Sequence, residues 1–169
     1  MIKYANIVNK LAKEKRGMTE INGNLNAKGM KIALIVSRFN SFLTEQLVKG
    51  AVDAFTRLGG NEKDLKLVRV PGAYELPIVA KKLASSKIDA VVALGAVVRG
   101  STPHADLINE ATARAFSEIS LSSGVPVIDA VVSADTLEQA VERCGTKQGN
   151  KGFSAMFAAV EMVDVLKQI

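Results

Sequence analysis

The sequence predicts an α/β domain whose parallel sheet is covered by helices on both faces. Three observations carry this. Short apolar runs recur along the chain: KIALIVS (31–37), LKLVRV (65–70), DAVVALGAVV (89–98) and PVIDAVV (126–132). Segments with helical spacing separate them. Polar residues, glycine or proline close the runs. A strand buried on both faces reads as a continuous apolar run, not as an alternating one. Strands that alternate with helices of about ten or more residues give a parallel sheet with right-handed crossovers. In such open sheets ligands bind beyond the carboxyl ends of the strands. Chemistry is therefore sought at residues 37–40, 70–75, 95–104 and 133–135.

The elements follow in order. Residues 4–16 (YANIVNKLAKEKR) place Tyr4, Ile7, Val8 and Leu11 on one helical stripe, followed by charge. Met18 reads as a second start, so residues 1–17 are taken as an extension and 18–169 as the domain. Residues 19–23 suit a short strand. After the first strand, residues 42–58 carry Phe42, Leu43, Leu47, Val48, Ala51, Ala54, Phe55 and Leu58 at helical spacing. Gly59-Gly60 then supplies a C-terminal cap. The second strand stops at Pro71-Gly72, and a helix is expected from about 75 to 86. The third strand leads into a helix over about 103–123, with Pro103 at its start, where a missing N–H costs little. After the fourth strand, Asp135 with Glu138 three residues on reads as a capping box. Helices are expected over about 135–144 and 152–168.

A chain of 169 residues has the size of one domain. The net charge of +5 is unevenly placed. Residues 1–31 hold seven Lys and Arg against two Glu, which accounts for the whole excess, while the remainder is neutral. A basic stripe interleaved with aromatics is absent, which argues against a nucleic-acid partner. The lone cysteine, Cys144, excludes an internal disulfide and suits a reducing compartment. No apolar run reaches the ~18 residues of a membrane span, and the N-terminus lacks the apolar core of a secretory signal. A cytoplasmic protein is expected, with no membrane partner.

Four strand ends hold the chemistry. Phe39, just past the first strand, can stack on a flat ring, although by itself it reads more simply as a core residue. Pro71-Gly72 makes a tight turn that brings Glu75 to a helix start, where the dipole favours a carboxylate for ligand binding or for capping. In the segment from Gly95 to His104, Gly95 and Gly100 let backbone approach a ligand. Ser101 and Thr102 add hydroxyls at a helix N-terminus, a ready anion site. His104, the single histidine, sits in that first turn, and an imidazole can move protons near neutral pH. Arg143, Lys147 and Lys151 among Gly145, Gly149 and Gly152 suggest a loop that grips an anion, or an ordinary solvated loop. Neither a GxGxxG after the first strand nor a GxxxxGK[ST] is present. Cys144 has no partner at metal spacing, so no metal site is expected and the thiol is read as a core or loop residue.

Together, RFN after the first strand, VPGAYELP after the second, GAVVRGSTPH after the third and the run DTLEQAVERCGTKQGNKGFSA resemble the lumazine synthase family over about residues 20–168. The resemblance implies a three-layer α/β/α sandwich around a four-stranded parallel sheet, flavodoxin-like in plan. It implies a homo-oligomer, a pentamer or an icosahedral assembly of pentamers, in which a segment like 19–23 adds a strand to a neighbour's sheet. The implied reaction condenses 5-amino-6-(D-ribitylamino)uracil with 3,4-dihydroxy-2-butanone 4-phosphate, with neither metal nor organic cofactor. Phe39 would stack on the pyrimidine. Ala73, Tyr74 and Glu75 would line the ribityl and pyrimidine pocket, and backbone groups of Ala96, Val97 and Val98 would hold the ring. Ser101 and Thr102 would meet the phosphate, and His104 would transfer protons. Arg143 would bind phosphate from an adjacent subunit, with Lys151 nearby.

Two residues depart from the family pattern. Ala105 stands where the family carries an aromatic. Asp129 stands in the fourth strand where the family carries a Phe that reaches a neighbour's substrate pocket. A buried, unpaired carboxylate there would cost several kcal/mol or shift its pKa, so Asp129 is expected to meet water, a cation or a partner. These departures leave open a second reading, an assembly scaffold of the same fold with weak activity or none. A flavodoxin-like module binding a flavin or another phosphate-bearing ligand is a third.

Overall fold

The structure, a computed structural model, describes residues 18–146 and 149–169. The helix expected over 4–16 and the side chain of Lys147 lie outside them. Four parallel strands, β1 (Ile32–Ser37), β2 (Leu65–Val70), β3 (Ala90–Val98) and β4 (Val127–Ala134), form a sheet of order β2-β1-β3-β4. The helices are α1 (Ser41–Arg57), α2 (Leu76–Ala84), α3 (His104–Ser123), α4 (Leu137–Arg143) and α5 (Lys151–Gln168). A short antiparallel pair, β5 (Cys144–Thr146) and β6 (Gly149–Asn150), joins the last two. The expected three-layer, flavodoxin-like sandwich is what forms.

The two-residue period of a strand sorts the core into two halves. Ile32, Leu34 and Val36 of β1, with Val92 and Leu94 of β3, pack against α1 and α5 through Leu47, Ala51, Phe55, Met156 and Val160. Ala33 and Ile35, with Val91 and Ala93, pack against α2 and α3 through Leu76, Ala80, Phe116 and Ile119. Burying one Leu, Ile or Phe side chain contributes about 1.5–3 kcal/mol. A chain that leaves either face of the central strands bare would forfeit several such contributions, so helices are required on both sides. Every residue of β1 is buried. The outer strand β2 exposes Lys66, Leu67 and Arg69, because it lies at the edge of the sheet.

Two further expectations are corrected, those for residues 19–23 and for the cap of α4. Residues 19–23 form no strand within the chain. They run without regular structure against α5, held where Asn24 N donates to Asp164 Oδ2 at 2.8 Å and Gln168 Nε2 donates to Asn22 O at 3.0 Å. The cap of α4 is Thr136, whose hydroxyl accepts from Gln139 N at 3.3 Å, and not Asp135, whose carboxylate is engaged elsewhere. Asp129 is exposed on the edge strand β4, and its Oδ1 accepts from Val131 N at 2.8 Å. Its carboxylate therefore meets solvent and backbone and escapes the burial cost. The expected glycine cap of α1 is present, with Gly59 at φ 84°.

Asn150 ties the C-terminal elements together. Its Oδ1 accepts from Phe153 N at 3.1 Å, capping α5, while Nδ2 donates to Gln46 O at 2.8 Å and to Cys144 O at 3.1 Å. α5 can approach α1 this closely because Gly152 faces the Leu47 carbonyl, which a Cβ there would overlap. No helix among the described residues is long and apolar enough to cross a membrane.

Gly152→Ala is expected to destabilise the protein. Alanine gains about 1 kcal/mol of helix propensity at most, but the added carbon strikes backbone, and overpacking typically costs about 1–3 kcal/mol. Urea denaturation should show a lower midpoint for Gly152→Ala. Gly100→Ala, where a Cβ meets nothing within 4 Å, should match the parent. Equal midpoints for all three proteins would refute the close approach.

Candidate active site

From β1 the chain winds outward to β2, then crosses back to β3 and on to β4. The crossovers leaving the carboxyl ends of β1 and β3 therefore diverge, and a crevice opens between them. A cavity of about 520 Å³ occupies this place. Phe39 borders it from the end of β1, residues 71–75 from the end of β2, and Ala96, Val97, Val98, Gly100, Thr102 and His104 from β3 and beyond. Ala105 and Ile108 of α3 complete the wall.

Backbone hydrogen bonds continue past the strand ends and set the first two loops side by side. Arg38 N donates to Val70 O at 2.8 Å and Phe39 N to Pro71 O at 3.0 Å. Asn40 adopts a left-handed conformation, φ 57°, and its Nδ2 donates to Ala96 O at 2.9 Å. Asn and Asp tolerate that region best among non-glycine residues. The residue thus turns the chain sharply into α1 and ties the end of β1 to β3. Phe39 is left 70% exposed at the cavity rim, which excludes a core role for it.

The second loop is rigid for a local reason. Gly72 N donates to Glu75 Oε2 at 2.9 Å across the 3₁₀ turn Ala73–Glu75, so Glu75 caps its own turn. The two readings of Glu75, cap and ligand group, are compatible: Oε2 holds the turn, and the half-buried carboxylate still borders the cavity. Ala73 is buried and Tyr74 exposed, with both on the wall.

The third loop carries the N-terminus of α3. His104 is the first residue of this 20-residue helix and is exposed. Thr102 is on the wall, whereas Ser101 is exposed outside it. Arg99 holds the loop, a role that sequence reasoning missed. Its Nη1 and Nη2 donate to the two carboxylate oxygens of Asp106 at 2.8 and 2.7 Å, and Nε donates to Asp135 Oδ1 at 2.7 Å. These two carboxylates hold the guanidinium pKa above its ordinary value. The signal was an Arg among glycine and hydroxyl residues with acids at 106 and 135, but nothing in the spacing reveals that the two acids converge.

Asp129, Arg143 and Lys151 are not brought to the cavity of their own chain. Arg143 ends α4 on the surface. Lys151 Nζ donates to Val131 O at 2.6 Å, so Asp129 and Lys151 together occupy the amide and carbonyl of Val131 on the edge strand. Among the described residues no cluster of three His, Cys, Asp or Glu could hold a metal. Cys144 is buried, and burial pushes its thiol up to about 11. The wall thus offers an aromatic plane, a carboxylate, backbone polar groups and a hydroxyl at a helix start, and one imidazole.

Comparison with known proteins gives a consistent picture. Residues 29–167 match the model of a family described as 6,7-dimethyl-8-ribityllumazine synthase. The 6,7-dimethyl-8-ribityllumazine synthase of Syntrophus aciditrophicus (strain SB) is 52% identical over 152 residues, covering 89% of this chain and 99% of that protein. The enzyme of the same name from Desulfotalea psychrophila (strain LSv54 / DSM 12343) is 51% identical over 147 residues, covering 86% of this chain and 95% of its own.

The buried thiol makes a test. Native protein should leave Cys144 unreacted with a disulfide reagent at neutral pH, and unfolding should release one thiol. The folded pKa lies above the ordinary 9.0, so the protonated thiol favours the fold, and this contribution is lost as pH rises from about 9 through about 11. Cys144→Ala should flatten that part of the stability profile. Rapid labelling of native protein would show the thiol to be accessible.

Proposed function

Because the chain belongs to the 6,7-dimethyl-8-ribityllumazine synthase family, we infer that it condenses 5-amino-6-(D-ribitylamino)uracil with 3,4-dihydroxy-2-butanone 4-phosphate to form 6,7-dimethyl-8-ribityllumazine in riboflavin biosynthesis. One observation carries the reading beyond the family match. Segments distant in sequence, ending β1, β2 and β3, meet around one cavity at the switch point, and each supplies a different part of what this reaction needs.

The amine of the pyrimidine attacks the butanone carbonyl and water leaves to give a Schiff base; phosphate is then eliminated, and the ribitylamino nitrogen attacks the carbonyl so formed and closes the ring with loss of a second water. Phe39 stacks on the pyrimidine. Ala73 and Tyr74 shape the pocket, and Glu75 accepts from ribityl hydroxyls. Backbone groups of Ala96, Val97 and Val98 fix the ring edge. Ser101 and Thr102, at the start of α3, receive the phosphate where N–H groups and the helix dipole favour an anion. His104 moves protons between the reacting groups. Holding two reactants in register can supply about 7–11 kcal/mol, whereas one proton-transfer residue adds about 10²–10⁴-fold. Positioning is therefore the larger part of the catalysis.

Arg143 supplies phosphate-binding charge from an adjacent subunit, with Lys151 beside it, and Asp129 faces a neighbour's pocket. Their places off the wall of their own chain's cavity suit a homo-oligomer, which we take to be a pentamer or a shell of pentamers in the cytoplasm. Ala105 leaves open the space that an aromatic fills in the family pattern.

Lumazine fluorescence from the two substrates, measured against a protein-free control, tests this. His104→Ala should retain turnover but lose roughly 10²-fold or more in rate. Arg143→Ala should chiefly raise KM for the butanone phosphate. A parent rate equal to the control would overturn the assignment, and unchanged kinetics in both variants would overturn the roles.

A further inference from the structure

Resting on that reading, we propose that Arg99 is a positioning residue for the phosphate-bearing substrate, holding the Gly100–His104 loop in its anion-binding shape and cancelling two carboxylates that would repel the anion. Arg99 is absent from the cavity wall, so it acts through the loop and not by contact.

The geometry carries the first half. Arg99 is fixed to the sheet because its own N donates to Ala134 O at 2.9 Å. Its guanidinium reaches forward past the loop and grips both oxygens of Asp106, in the first turn of α3, at 2.7 and 2.8 Å. Asp106 N in turn donates to Pro103 O at 3.1 Å. The segment from 100 to 103 is thus closed at both ends by one side chain, and Thr102 and His104 take their places from that closure. A guanidinium does this and an ammonium does not, since the planar fork gives two parallel donors to one carboxylate and a third, divergent donor to another.

Charge carries the second half. Asp106 and Asp135 bring two negative charges to the loop that must accept a phosphate. The carboxylates of Asp106 and Asp135 are 52% and 68% exposed, so salt and solvent weaken each pair. A phosphate ester carries nearly two charges of its own near neutral pH, and without Arg99 the two carboxylates beside the loop are left uncompensated. The ribityl pyrimidine is uncharged in its side chain and is held by the loops after β1 and β2 and by the backbone of β3 itself, ahead of the Gly100–His104 loop, so its KM should change little.

The experiment measures KM for each substrate separately, with thermal denaturation alongside. Arg99→Ala should raise KM for the butanone phosphate on the order of tenfold, the size of effect a small misplacement of a substrate-holding group produces, while KM for the ribityl pyrimidine stays within about twofold. Arg99→Lys, which keeps the charge and loses the fork, should fall between. Adding Asp106→Asn and Asp135→Asn to Arg99→Ala should recover part of the loss, which a purely structural role would not allow. Inorganic phosphate titrated calorimetrically reads the same loop without turnover, so an inactive parent would sink the assigned reaction while this arm still judges Arg99. Weaker phosphate binding by Arg99→Ala supports the proposal. It is overturned by equal phosphate affinity in parent and variant, by a parent that binds no phosphate, or by both KM values rising together with a lower Tm.

Discussion

Burial of both faces of β1 and β3 is the constraint from which the rest follows. Their alternate side chains point into two separate apolar layers, one under α1 and α5 and the other under α2 and α3. Neither layer can be left to water without losing several kcal/mol of apolar burial. Right-handed crossovers then leave no choice about direction: to cover both faces, the winding must reverse between β1 and β3. The reversal separates the loops that follow these strands, and the cavity is the space left between them. Its position is a by-product of closing the core.

Around that space the loops are rigid because their polar groups are spent locally. The ladder of hydrogen bonds continues beyond β1 and β2 to Phe39 and Pro71, Asn40 bridges to Ala96, and Glu75 satisfies Gly72. Buried or half-buried backbone groups need partners, and here the partners come from neighbouring loops. The same bonds that satisfy the backbone therefore fix one loop relative to the next. Phe39 and Tyr74 remain at the rim, exposed to solvent, while Val70, Ala73 and Leu76 from the same loops enter the core.

The outer strands show how the sheet ends. β4 has the amide and carbonyl of Val131 occupied by Asp129 and Lys151, which blunts it as a template for further strand pairing. β2 carries exposed Lys66 and Arg69, with Arg69 paired to Glu45 of α1. Edge charges of this kind discourage indiscriminate pairing. Residues 19–23 form no strand within the chain and run instead against α5, tied to Asp164 and Gln168 beside them.

Much of the fold and site was legible beforehand. The continuous apolar runs at 31–37, 89–98 and 126–132 and the shorter, partly charged run at 65–70 located the strands, and the helical spacing of 42–58 located α1. The strand ends then pointed to Phe39, Glu75, Thr102 and His104, because the sheet's architecture dictates where a crevice opens. Tertiary structure alone decided the others. Thr136 displaced Asp135 as cap because Arg99, 36 residues earlier, claims the Asp135 carboxylate. Asp129 avoided burial because β4 lies at an edge, and strand order is not written in any local pattern. Local sequence determines periodicity and turns, which act over a few residues. Which charged group meets which is set by the packing of distant segments, and that packing alone brings Arg99, Asp106 and Asp135 together.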